Sequence, residues 1–152
     1  KASKFPFINL GVAWTFHPKM PRYLHELREL TGNDRGAMYE WIVAQELWRR
    51  EMLRAQTPST PTSRRDHFGT QMGFWASEKH EIDFVVNGKD FYEVKAGTTT
   101  PIEFSWFLKT FPKEKLNVIS ESEFETDRIQ SQNLHQFLYR TASELYYNSD
   151  NT

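Results

Sequence analysis

Asp83, Glu93 and Lys95 stand in two short runs, Glu81-Ile82-Asp83-Phe84-Val85-Val86 and Phe91-Tyr92-Glu93-Val94-Lys95, separated by Asn87-Gly88-Lys89-Asp90. Two carboxylates and an amine are what a Mg²⁺-dependent phosphodiesterase needs. The acids are hard oxygen ligands for a cation that keeps several of its waters, and the amine orients or deprotonates the attacking water. In that scheme Asp83, Glu93 and a backbone carbonyl such as that of Val94 hold Mg²⁺, with Mn²⁺ as a substitute, and the metal stabilises charge building on the phosphate. Two carboxylates about 4 Å apart repel by roughly 4 kcal/mol at an effective dielectric near 20, so the pair needs relief. Lys95 supplies one positive charge and a divalent cation two. The plain alternative for the same residues is the solvated side of an antiparallel strand pair.

The choice between these readings turns on the parity of the connection, because side chains alternate along a strand. A two-residue Asn87-Gly88 turn pairs Val86 with Lys89 and Asp83 with Tyr92, which sends Asp83 and Glu93 to opposite faces. An odd or bulged turn gathers Ile82, Phe84, Val86, Tyr92, Val94 and Ala96 on one apolar face and leaves Asp83, Glu93 and Lys95 together. Gly88 suits the left-handed position such a turn requires, so odd parity is expected.

The elements around the hairpin follow from apolar spacing and from Gly and Pro punctuation. A strand is expected over 5–11 and a helix over 21–30. A long helix runs from about 33 to 54, on Met38, Trp41, Ile42, Leu47, Trp48 and Met52. Residues 56–67, with Pro58, Pro61 and several Ser and Thr, read as a mobile loop. Strands are expected over 71–76, 81–86 and 90–96, then a helix over 101–111, a strand over 115–120 and a helix over 130–147. This order makes an α/β domain, a mixed β-sheet flanked by helices, with a right-handed parallel crossover from the 90–96 strand to the 115–120 strand.

The length of 152 residues suits one domain with a real core. Without cysteine, disulfide scaffolds and Cys-ligated zinc are excluded, and a reducing cytoplasm is the simplest compartment. No apolar run approaches a membrane span. The chain does not begin with Met and is read as a fragment. Its net charge of −1 draws it to no polyanion, so phosphate contact must be local. Arg49, Arg50, Arg54, Arg64 and Arg65 are the best local cluster, against the alternative of a solvated helix end and loop. His17, His25, His67, His80 and His135 lack metal-ligand spacing, although His80 borders the hairpin. Trp41, Trp48, Trp75 and Trp106 fall in apolar patterns and read as core rather than as base-stacking platforms. No Gly-x-x-x-x-Gly-Lys-Ser/Thr loop occurs.

A third acid, Glu40, lies on the long helix among Gly36, Ala37 and Ala44, small residues that let a helix approach a sheet. In isolation it reads as an exposed helix residue or an ion-pair partner. Together, Glu40, Asp83, Glu93 and Lys95 resemble the PD-(D/E)XK nuclease superfamily, whose core carries a helix Glu, a strand Asp and a following Glu-x-Lys. The chain is more closely similar to the nuclease-like domain at the C-terminus of many bacterial and archaeal AAA-type ATPases. That likeness runs from Lys4 to Leu138 through Lys4–Gly11, Gly36–Val43, Phe74-Trp75, Glu81–Val86 and Tyr92–Gly97. It departs at Asn9, where that group has Asp, and at Ala76-Ser77, where a basic residue is common. The resemblance implies a restriction-endonuclease-like fold, Glu40 assisting Asp83 and Glu93 at the metal, and nucleic acid as substrate, DNA before RNA. It also implies an ATPase module upstream in the same chain. The competing functions are a catalytically silent module that binds nucleic acid or protein and regulates the ATPase, and a structural domain. Oligomeric state is left open.

Overall fold

The computed structural model describes Tyr23, Glu26, residues 29–56 and residues 71–139. The strand expected over 5–11, most of the helix over 21–30 and, apart from Gln56, the loop over 56–67 lie outside the described residues.

Helix α1 (Gly32–Gln56) is the long helix of the sequence, with Asp34 placing a negative charge in its first turn, where the helix dipole favours one. Strands β1 (Met72–Ala76), β2 (Glu81–Val86) and β3 (Asp90–Val94) form an antiparallel meander. A 3₁₀ helix (Pro101–Phe104) runs into α2 (Ser105–Thr110) and leads to β4 (Leu116–Ile119), which returns parallel to β3 as the crossover layout requires. Strands β5 (Phe124–Glu125) and β6 (Ile129–Gln132) follow, then a helix, α3, over 134–139. The six strands make one mixed sheet in the order β1-β2-β3-β4-β6-β5.

Helices cover both faces. On one, Val43, Ala44 and Leu47 of α1 and Phe137 of α3 pack on Phe84, Val86, Val94 and Ile119. On the other, Phe104 and Phe107 pack on Ile82, Phe91, Leu116, Val118 and Ile129. The central strands are therefore buried on both sides, which explains their nearly continuous apolar runs.

Two elements differ from expectation. The helix expected from 130 begins only after β6, because Ile129 and Ser131 are buried while Gln130 between them is exposed, the two-residue period of a strand. The helix start is set by Asn133, whose Oδ1 accepts from the Gln136 N–H at 2.9 Å, while Gln136 Oε1 accepts from the Asn133 N–H at 3.2 Å. This reciprocal Asn-x-x-Gln cap is legible in the sequence once looked for. Strand β5, two residues long, has no periodic signal to read.

The β2–β3 turn is odd. Val86 stands opposite Asp90, Val85 opposite Phe91 and Phe84 opposite Tyr92, leaving Asn87, Gly88 and Lys89 between the strands. Asn87 and Gly88 both have left-handed φ, at 52° and 71°, and the Lys89 N–H closes onto the Val86 carbonyl at 3.2 Å. Asn-Gly thus makes its own tight turn, and Lys89 is the extra residue that changes the parity. The Asn87 side chain anchors this turn, donating to Glu51 Oε2 at 2.8 Å and accepting from the Gln71 N–H at 3.3 Å. A Cβ at Gly88 would meet nothing within 4 Å, so Gly88→Ala carries a purely conformational cost of about 1 kcal/mol. A lowered denaturant midpoint with an unchanged m-value is the expected result, and an unchanged midpoint would count against the turn.

Candidate active site

Asp83 is where β2 leaves β3. Regular pairing ends at Phe84–Tyr92, and on the other side β2 carries a bulge, with Gly73 opposite Val85 but Trp75 opposite Ile82. Two residues of β2, Asp83 and Phe84, therefore face the single Phe74. The bulge corrects one expectation: Phe84, Val86, Tyr92 and Val94 share the α1 face, but Ile82 is turned into the opposite cluster with Phe91 and Phe107.

The splayed strands leave the Val94 N–H facing a missing partner, since an uninterrupted ladder would offer it the carbonyl of Ile82. The Asp83 carboxylate fills the gap, Oδ2 accepting from Val94 N at 2.8 Å. Strand β3 meanwhile stays joined to β4, with Lys95 N donating to the Ile119 carbonyl at 2.8 Å. Asp83 and Glu93 are brought together at this fork, and neither is on a solvated side: they are 5% and 4% exposed.

Glu93 is the strained member. Lys95 Nζ lies 2.7 Å from its Oε1, with the lysine side chain nearly half exposed. Its Oε2 is buried and has no hydrogen-bond partner. Burial first, and the charge of Asp83 second, push the Glu93 carboxyl up to about 7 against the opposing pull of Lys95. Once ionised, a carboxylate with one orphaned oxygen beside a second acid is an electron-rich site short of positive charge. The donor set, hard oxygens only, fits Mg²⁺ or Mn²⁺ on Glu93 Oε2, Asp83 and the Val94 carbonyl.

Glu40 is half-buried on α1, the helix that lies against β2 and β3. Among the described residues no group of three Asp, Glu, His or Cys side chains that could hold a metal is found.

Two members of the expected Arg cluster, Arg49 and Arg50, are engaged within the fold. Arg49 donates twice to Glu46, at 2.8 and 2.9 Å, and Arg50 donates to Glu46 at 3.1 Å and to the Phe137 carbonyl at 2.6 Å. The side chains of Arg54, Arg64 and Arg65 lie outside the described residues. Sequence reading missed Arg35, which pairs with Glu121 in the loop after β4 and lies 5.5 Å over the Tyr39 ring. The Arg35–Tyr39 spacing, one helical turn, was readable; the Glu121 contact, across the fold, was not. A cavity of about 480 Å³ lined by Lys115, Asp127 and Arg128 opens at the start of β4 and β6, the end of the sheet away from the acids.

No family model matches this chain, and no curated protein or solved structure matches it either. Among the described residues no helix is long and apolar enough to cross a membrane.

Proposed function

We propose that this domain is a metal-dependent phosphodiesterase of restriction-endonuclease-like fold that cleaves nucleic acid, DNA before RNA, as the nuclease-like module of a cytoplasmic AAA-type ATPase. One observation carries the reading: the orphaned Oε2 of buried Glu93, set against Asp83 and Lys95 where β2 and β3 fork. A buried carboxylate with one oxygen paired to Lys95 and the other left without a partner costs stability rather than adding to it. The motif resemblance supports the ATPase partner.

When bound, Mg²⁺ supplies Lewis acidity to the phosphate and acidifies a water. The chain supplies the rest. Asp83 and Glu93 would hold the cation, and the Val94 carbonyl, between Glu93 and Lys95 in the chain, would add a neutral ligand. Lys95, held by Glu93 Oε1 yet half open to solvent, donates from its ammonium to orient the attacking water and to offset charge building on the phosphate, while the water's proton passes to solvent. Glu40 assists from α1.

Asp83→Asn is the deciding variant. Alanine there would leave the buried Val94 N–H unpaired at a cost of about 1–3 kcal/mol, confounding folding with chemistry. Asparagine keeps an acceptor for that N–H and removes the charge. Cleavage of DNA in Mg²⁺ is expected to fall about a hundredfold or more, with the melting temperature nearly unchanged. An Asp83→Asn protein that cuts as fast as the unmodified one would sink the proposal.

A catalytically silent module, binding nucleic acid or protein and regulating the ATPase, is favoured by one feature. Lys95 already neutralises Glu93, and no third acid joins the pair among the described residues. It predicts no Mg²⁺-dependent cleavage even with the ATPase present.

A further inference from the structure

The β1–β2 connection, residues 77–80, is a short turn stapled by Ser77. The Ser77 N–H donates to the His80 carbonyl at 2.7 Å, the Ser77 hydroxyl donates to the same carbonyl at 3.1 Å, and Ser77 Oγ accepts from the His80 N–H at 3.0 Å. The turn holds the exposed His80 imidazole flat on Trp106, ring centres 4.4 Å apart and planes 6° from parallel. Trp106 also lies parallel to Trp75, at 5.8 Å and 14°. Other aromatic pairs of the same cluster are tilted or edge to face instead: Phe107–Phe111 at 34°, Phe91–Phe111 at 47°, Phe91–Phe107 at 71° and Trp75–Phe111 at 77°.

We propose that His80, Trp106 and Trp75 form a stacking platform for a nucleobase of the strand whose phosphodiester reaches Asp83 and Glu93. This rests on the nuclease reading for its placement beside the acids. The topology supports that placement, since β2 is antiparallel to β3 and its start lies beside the end of β3, where Glu93 and Lys95 stand. His80 precedes Asp83 by three residues, about 10 Å of extended chain, a distance a short stretch of single strand covers. A parallel stack accepts another flat ring on its open end, which an edge-to-face cluster does not. One imidazole face is laid on Trp106 while the residue stays exposed, so the second face is the part left for a ligand. The stapled turn lowers the ordering cost of binding. A chain of net charge −1, with Arg49 and Arg50 engaged by Glu46, has little electrostatic hold on a polyanion, and stacking supplies what charge does not.

The test measures binding in EDTA, where cleavage plays no part. The chain is titrated with an oligothymidylate about ten nucleotides long and with an abasic sugar-phosphate oligomer of equal length, read by tryptophan quenching and by anisotropy of the labelled strand. The oligothymidylate is expected to quench and to bind about tenfold more tightly than the abasic strand. His80→Ala should remove most of that difference, and His80→Phe should retain it, because a flat ring is the requirement. Melting curves of both variants check that this exposed position leaves the fold intact. Equal binding of the two strands, no binding of either, or a His80→Ala protein that discriminates as before would each overturn the platform. Discrimination without cleavage in Mg²⁺ would leave the platform standing and remove the nuclease reading. Cleavage without discrimination would do the reverse.

Discussion

Glu93→Gln is expected to abolish Mg²⁺-dependent cleavage and, at the same time, to stabilise the metal-free protein above neutral pH. In the folded chain the Glu93 carboxyl is raised from 4.5 to about 7, mainly by burial and then by Asp83. Between those values the native state binds more protons than the unfolded one, so stability falls as pH rises through the window. Below about pH 4.5 the residue costs nothing by this route; above pH 7 the full penalty, about 3 kcal/mol, is present. Glutamine does not titrate and escapes it. The ion pair it forfeits involves a half-exposed Lys95 and is worth less than about 1 kcal/mol. At pH 8 in EDTA the variant should therefore melt on the order of 5–10 °C above the unmodified chain, with the two curves converging at pH 4.5. Added Mg²⁺ should raise the melting temperature of the unmodified chain and leave that of Glu93→Gln unmoved. A variant that melts at or below the unmodified protein at pH 8 would show that Glu93 is not strained.

The largest loss of stability is expected from Glu46→Ala. Glu46 is 7% exposed and receives both Arg49 and Arg50. Arg49 is 42% exposed and can turn toward solvent at less cost. Arg50 cannot: its side chain is 18% exposed, its Nη2 is bound to the Phe137 carbonyl, and its guanidinium lies 3.9 Å over the Phe137 ring. Removing the carboxylate strands that charge against an aromatic core, at about 3 kcal/mol. Arg49→Ala should cost less than about 1 kcal/mol. Chemical denaturation of the two variants decides it, and equal losses would mean that Arg50 is not confined by this clasp.

The hairpin and its parity were legible because three independent signals agreed: the apolar alternation, the glycine at a left-handed position, and the company of the two acids. The bulge at Asp83–Phe84 was not, because it depends on how β1 pairs, and Ile82 consequently went to the wrong face. Expecting a helix from 130 gave weight to Leu134, Phe137 and Leu138 and overlooked the period of two at Ile129 and Ser131. The pairing of Glu46 with Arg49 and Arg50, one helical turn on, was legible in the spacing, but the contact of Arg50 with Phe137 is a tertiary fact. Glu40 stands among small residues that set α1 against the sheet, and that approach was legible in their spacing. The ladder of Trp75, Trp106 and His80 joins residues distant in sequence, and apolar spacing assigned its two tryptophans to the core.

Asp83 and Glu93 would part company under mutational drift. Asp83 completes a hydrogen bond that the forked strands require, so a descendant that had lost all activity would still be held to Asp or Asn there by folding alone. Glu93 has no such protection: above neutral pH its burial weighs against the charged form, and on the function proposed above it is the reaction that would hold the acid in place. On that reading, in lineages carrying this hairpin the residue at the Glu93 position would record whether chemistry is still being selected, while the residue at the Asp83 position would be silent on the question.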